Sequence, residues 1–203
     1  LDTYFAMARG SQTDGQDVIA MEMTKWFDTN YHYIVPEFSK DQEFKLSSTK
    51  IFDEYEEAKA EGIETRPVLV GPITYLSLGK MDDDTDAMTL LPKLLPVYDQ
   101  ILRRLVKAGV KWVQIDEPYL AMDLTDAQKG AYLVTYSAIK AVAEEMNIIV
   151  TTYFEGLRDN TELACGLPVD ALHVDLRRAP DQLDDVLNAI KDEKALSLGV
   201  VDG

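Results

Sequence analysis

A chain of 203 residues, 46% hydrophobic and 28% charged, is long enough to bury a full core and reads as one folded globular domain rather than a disordered segment. Its formal net charge of −16 excludes nucleic acid and anionic membrane as partners, because the phosphate-neutralising attraction that drives such binding would have the wrong sign. Cys165 is the sole cysteine, so no internal disulfide can form; it reads as a small buried or half-buried hydrophobe, and with no membrane-length apolar run and no signal peptide the protein is expected to be cytoplasmic.

The first residues, Leu1 to Gly10, read as a loop or short helix. The stretch from Glu22 to Phe38 follows. It crowds Trp26, Phe27, Tyr31 and Tyr33 together with Lys25, Asp28, Asn30 and His32, and closes on Val35-Pro36-Glu37. Amphipathic rings beside donors and acceptors suit the lining of a small-molecule pocket, and equally an aromatic strand packed beneath helices.

Beyond it, short β-branched runs alternate with amphipathic stretches, the pattern of a parallel α/β protein. Strands are predicted at Lys25–Phe27, Pro67–Val70, Trp112–Ile115, Ile148–Thr152, Ala171–Val174 and Ala195–Val200, each read as buried on both faces. Ser48 is placed as cap of a helix carrying Ile51, Phe52, Tyr55 and Ala58, stopped by Gly62. Leu90 to Ala108 has leucines at helical spacing and Gly109 as its stop, with Pro92 and Pro96 irregular or kinked near its start. Asp82-Asp83-Asp84 reads as a solvated loop, since it lacks the interleaved ligand pattern of a calcium loop. Thr125 and Gln128 form a capping box for a helix ending near Met146, and Pro180 suits the first turn of a helix reaching Lys191.

Six strand–helix steps without a glycine-rich fingerprint favour a (β/α)₈ barrel over a doubly wound sheet. Such a barrel needs eight strands and about 250 residues. The chain is therefore expected to be an incomplete barrel, residues 1–203 forming one domain internal to a longer sequence.

Polar residues gather where such strands would end: Asp28, Asn30, Tyr31 and His32; Gly71 to Tyr75; Asp116 to Tyr119; Thr151, Thr152, Tyr153 and Glu155; and His173, Asp175, Arg177 and Arg178. Asp116 and Glu117 are adjacent on a strand, so they point to opposite sides and cannot easily flank one substrate bond. Structure or substrate positioning is favoured over catalysis for them. The alternative is a free-standing, metal-independent hydrolase or lyase using Asp116 with His32 or Asp175. A catalytic zinc would need three protein ligands; His32, His173 and Cys165 lie on separate elements, and although Asp116 and Asp175 could join them, satisfied structural histidines are the favoured reading.

In these motifs the chain resembles cobalamin-independent methionine synthase, the family of 5-methyltetrahydropteroyltriglutamate–homocysteine methyltransferases. The resemblance runs from Ala8-Arg9-Gly10 through Glu22–Phe38, Val68–Lys80, Val113–Leu120, Thr151–Gly156 and Leu172–Arg178 to Leu198–Gly203. It implies two face-to-face barrels, of which this is part of the amino-terminal one. It also implies direct methyl transfer from 5-methyltetrahydropteroyltri-L-glutamate to the homocysteine thiolate, with zinc and homocysteine held by the carboxyl-terminal barrel. Where that barrel places its zinc ligands, this chain has Thr151, Thr152, Tyr153 and, roughly, Asp175. No catalytic or metal-ligating residue is thus expected here, and the chain alone should be inactive. The residue the resemblance singles out is Lys25, as a ligand of the folate polyglutamate tail. A second tail-binding motif of the family has no counterpart here.

Overall fold

The computed structural model describes residues 2–13 and 16–201. Helix α1 (Asp2–Arg9) leads into the short antiparallel pair β1 (Ser11–Thr13) and β2 (Gln16–Val18). A second hairpin joins β3 (Met23–Lys25) to β4 (His32–Ile34), and β5 (Glu37–Phe38) follows. Then come α2 (Lys50–Ala60), β6 (Val68–Val70), α3 (Pro72–Ser77), β7 (Lys80–Met81) and α4 (Leu91–Ala108). The remainder is β8 (Trp112–Asp116), α5 (Asp126–Val142), β9 (Asn147–Thr151), α6 (Thr161–Gly166), β10 (Ala171–Asp175), α7 (Leu183–Ala189) and β11 (Ala195–Gly199).

The central sheet has five parallel strands in the order β11-β10-β9-β8-β6, with helices against one face. On that face Val113, Ile115, Ile148, Val150, Leu172 and Val174 are fully buried. The opposite face alternates with it, as the two-residue strand period requires. It carries Trp112, Gln114, Asp116, His173 and Ser197, all only half-buried. Burial on both faces, expected from the sequence, therefore holds only around β9, where Ile149, Thr151 and the neighbouring Ala171 are buried on this face too.

The predicted strand at Lys25–Phe27 is corrected. Its residues form one arm and the turn of an exposed antiparallel hairpin, outside the central sheet, so the sheet has five of the six predicted strands. The reason is local: the Trp26 N–H donates to the Tyr31 carbonyl at 2.7 Å and Thr29 Oγ1 to the Trp26 carbonyl at 2.6 Å, closing the turn on itself. Phe27 bends the turn with φ of 53°, a conformation a strand cannot hold.

The helices follow their sequence signals more closely. In α4, Leu91, Leu94, Tyr98, Ile101, Leu102 and Leu105 are buried at three- and four-residue spacing, the leucines and Ile101 contributing about 1.5–3 kcal/mol each. Gly109 ends it at φ of 83°, where a side chain would be strained. Pro92 sits in the first turn, where a missing N–H is harmless, while Pro96 lies inside the helix. The Thr125–Gln128 capping box forms in full, although α5 stops at Val142, short of Met146. Ser48 Oγ accepts from the Lys50 N–H at 3.2 Å, one residue ahead of the Thr49 cap position. Pro180 opens a 3₁₀ turn that runs into α7. Asp83 and Asp86 accept from the backbone N–H groups of Thr85 and Met88, so this acidic stretch is a capped loop.

Candidate functional site at the carboxyl edge of the sheet

The β3–β4 hairpin lies over the carboxyl ends of the strands and is held there by its aromatic residues. Trp26 meets Phe27 and Tyr33 edge-on at 5.3 and 5.5 Å between ring centres. Phe27 packs on Phe154 at 5.7 Å, and Phe154 in turn on Tyr153 at 4.6 Å. The Tyr33 hydroxyl donates to the Leu78 carbonyl at 3.1 Å, tying the hairpin to the end of α3. Asp28 pairs with Arg178, whose guanidinium also lies 5.4 Å from the centre of the Phe154 ring. Phe154, like Phe27, has positive φ, at 76°. Two bulky residues held in that region, packed on each other, mark a place where surrounding structure dictates backbone shape.

Between hairpin and strand ends lies a cleft of about 370 Å³, lined by Phe27, Asp28, Ala121, Met122, Tyr153, Phe154 and Glu155. Lys25 stands on the exposed arm of the hairpin, beside His32 in the cross-strand register. Its ammonium has no hydrogen-bond or ion-pair partner among the described residues, unlike Lys80, which pairs with Glu22. His32 is also exposed, and among the described residues its ring bonds only the Asn30 carbonyl, at 3.1 Å. Tyr31 points into solvent.

The Asp28–Arg178 pair invites a stability role, but Asp28 and Arg178 side chains are 61% and 39% exposed. A pair so exposed contributes at most about 1 kcal/mol. Asp28→Ala is therefore expected to lower the urea-unfolding free energy by less than about 1 kcal/mol, with the aromatic contacts still seating the hairpin.

Asp116 and Glu117 do point to opposite faces. Asp116 Oδ1 accepts from Gln114 Nε2 at 2.6 Å, and Oδ2 from the Tyr153 hydroxyl at 3.2 Å. Burial raises its pKa, only partly countered by these bonds and by the nearby His173 and Arg66. His32 is not among its partners, so the Asp116–His32 pairing does not form. Glu117 is turned under the helices and fully buried. Its two oxygens accept from the Ile73 and Thr74 N–H groups at 3.3 and 2.8 Å, from Thr74 Oγ1 at 2.6 Å, and from the Tyr132 and Tyr136 hydroxyls at 3.3 and 3.0 Å. Burial outweighs these donors and lifts its pKa to about 7. The segment Gly71–Tyr75 is accordingly the support for Glu117 rather than a ligand lining: Gly71 to Thr74 are buried. Asp175 plays a similar local role, its carboxylate accepting from the N–H groups of Phe154, Arg177 and Arg178. Cys165 is buried in α6, as a small hydrophobe should be.

Sequence reasoning missed the tilted Phe27–Phe154 contact and the five-donor environment of Glu117. Only Pro118, which follows Glu117, and the Gly71-Pro72 pair opposite hinted at a special backbone there.

A parallel sheet under helices, with an aromatic hairpin over its strand ends, defines an α/β domain that builds its site from strand-end loops. Comparison with known proteins narrows this class. The family profile described as "Cobalamin-independent synthase, N-terminal domain" matches residues 1–203, and the chain belongs to that family. Relatives named 5-methyltetrahydropteroyltriglutamate–homocysteine methyltransferase include those of Chelativorans sp. (strain BNC1), 55% identical over 212 residues, and Salinibacter ruber, 57% identical over 210 residues. Each aligns with 100% of this chain, which spans 27% of their length. Among solved structures, a B12-independent methionine synthase from Shewanella sp. W3-18-1, in complex with selenomethionine, superposes with a TM-score of 0.53 at 13% identity. The match covers 76% of this chain and 60% of that one, and supports the α/β fold.

Proposed function

We propose that this domain is part of the amino-terminal (β/α)₈ barrel of an enzyme that transfers a methyl group from 5-methyltetrahydropteroyltri-L-glutamate to homocysteine. Its role there is to hold the folate's anionic polyglutamate tail through Lys25 and to support the barrel. The observation that carries this reading is the Lys25 ammonium, exposed and unpaired on a hairpin whose aromatic residues fix it over the strand ends. A lysine suits a flexible carboxylate chain because it offers a point charge and three donors without demanding one geometry. On a chain of net charge −16, an unneutralised cation is also what makes the approach of a polyanion tolerable.

Zinc, which the family implies, finds no fitting donor set in this domain. The positions that the resemblance sets against the family's zinc ligands are Thr151, Thr152, Tyr153 and, roughly, Asp175, and no three His, Cys, Asp or Glu side chains cluster as a metal would need among the described residues. On this reading the zinc and the homocysteine thiolate belong to another domain of the full-length enzyme, and this domain alone does not turn over.

Lys25→Ala in the full-length enzyme tests the assignment. The KM for the triglutamate substrate should rise about tenfold, the equivalent of one charge-assisted contact, with kcat little changed. The difference from wild type should shrink as salt is added, because the lost contact is exposed. A triglutamate KM unaffected by the substitution overturns the role of Lys25.

A further inference from the structure

The hairpin that carries Lys25 sets a second basic side chain beside it. The Trp26 N–H donates to the Tyr31 carbonyl at 2.7 Å and the Val35 N–H to the Glu22 carbonyl at 2.8 Å. Residues 26 and 31, and 22 and 35, are therefore hydrogen-bonded pairs of this ladder. The two kinds of pair alternate along antiparallel strands, which makes Lys25 and His32 a non-hydrogen-bonded pair, the kind whose side chains stand closer. Their Cβ atoms are about 4.5–5.5 Å apart on one face of the hairpin. Trp26 and Tyr33 share the other face, the one seated on the domain: their rings meet edge-on, and the Tyr33 hydroxyl donates to the Leu78 carbonyl. Lys25 and His32 are both exposed. Met23 and Ile34, the next pair on their face, put apolar surface beside the two bases, which suits the methylene stems of a glutamate chain.

The His32 ring is oriented by its own turn. Nδ1 lies 3.1 Å from the Asn30 carbonyl, which can only accept, so Nδ1 carries a proton. Nε2 is then a bare lone pair in the neutral ring and an N–H donor in the imidazolium. The acids of the hairpin are engaged elsewhere, Glu22 with Lys80 and Asp28 with Arg178. We propose that His32, as its imidazolium, is a second ligand of the anionic tail, taking a carboxylate next to the one held by Lys25; this rests on the tail-binding reading of Lys25 given above. A tail of linked glutamates carries several carboxylates on one flexible chain, so the two bases need not converge on a single one. Two cations directly opposite on paired strands repel each other. Carboxylates laid across them remove that repulsion, so the tail binds best to the protonated ring and draws in a proton as it binds. Histidine is the side chain that changes charge between about pH 5 and 8, and affinity for the tail should fall as pH rises through that range.

The test uses the full-length protein and two probes, pteroyltriglutamate and pteroylmonoglutamate, which differ only in the length of the tail. Measured by titration calorimetry, the preference for the triglutamate should be about three- to fivefold greater at pH 6 than at pH 8, the worth of one exposed ion pair. Triglutamate binding at pH 7 should also take up a fraction of a proton, read from the difference in heat between two buffers of unlike ionisation enthalpy. His32→Gln should flatten the pH dependence and remove that uptake. His32→Lys, charged across the whole range, should bind the triglutamate tightly at both pH values without proton uptake. If His32→Gln keeps the wild-type pH dependence and proton uptake while Lys25→Ala still weakens triglutamate binding, His32 is no ligand and the role of Lys25 stands. Unchanged triglutamate affinity in Lys25→Ala would instead overturn the tail site on which the proposal rests.

Discussion

Glu117→Ala is expected to destabilise the domain by about 3–5 kcal/mol, the range seen when one member of a buried polar network is removed. Alanine would leave the Ile73 and Thr74 N–H groups, the Thr74 hydroxyl and two tyrosine hydroxyls around an empty space. The hydroxyls can turn toward one another, but the two backbone donors cannot. Glu117→Gln keeps one acceptor oxygen, enough for the Thr74 N–H, and its amide can donate to a tyrosine hydroxyl, while the Ile73 N–H loses its acceptor, so its cost should be smaller, about 1–3 kcal/mol. The two variants also separate packing from charge. Glu117 has a folded pKa of about 7 against a reference of 4.5, so between those values the folded state holds a proton that the unfolded chain has lost. Its contribution is fully present below pH 4.5 and is lost as pH rises to about 7, roughly 3 kcal/mol over that window. Urea unfolding at pH 5 and pH 8 should therefore show wild type losing stability relative to Glu117→Gln at the higher pH. An identical gap between the two proteins at both pH values would show that Glu117 does not titrate there.

The elements that the sequence revealed are those whose signals are local. The α5 start is written in Thr125 and Gln128, and the α4 stop in Gly109. The buried strands announce themselves because Val113, Ile115, Ile148 and Val150 have nowhere else to go. The hairpin at Met23–Ile34 was not legible, because its turn depends on Phe27 adopting a positive φ, which no residue preference anticipates and which the packing against Phe154 enforces. Lys25 was singled out by resemblance alone; its exposure and unpaired state are properties of that hairpin. The adjacent carboxylates divide in the same way. Strand alternation placed Asp116 and Glu117 on opposite faces. That five donors converge on Glu117 depends on residues 15 to 44 positions away in sequence, and no periodicity encodes such a meeting. Lys25 and His32 were visible as residues but not as a cross-strand pair, since the pair exists only through the register of the hairpin.

Gly71→Ala should be nearly as damaging as the loss of Glu117 itself. Gly71 has φ of −70° and ψ of 147°, ordinary extended values, so nothing in its backbone demands glycine. Space does. A Cβ there would stand 2.0 Å from Glu117 Cδ and 2.4 Å from Cγ. Either the carboxylate leaves its donors or β6 and α3 move apart, and overpacking of that kind combined with a displaced buried acid costs about 3–4 kcal/mol. A double-mutant cycle identifies which. If the collision with Glu117 is the cause, adding Gly71→Ala to Glu117→Ala should cost little, because the new methyl group enters vacated space, giving a coupling of about 2–3 kcal/mol. Additive costs would place the strain in the backbone instead. The same substitution reaches the proposed tail site by a short route. The end of α3 supplies the Leu78 carbonyl that anchors Tyr33, and Tyr33 lies on the hairpin arm paired with the one bearing Lys25. In a full-length Gly71→Ala protein that still folds, a displaced α3 should shift the hairpin and raise the triglutamate KM. Wild-type KM alongside the lost stability would show that the Tyr33 anchor to α3 does not set the position of Lys25.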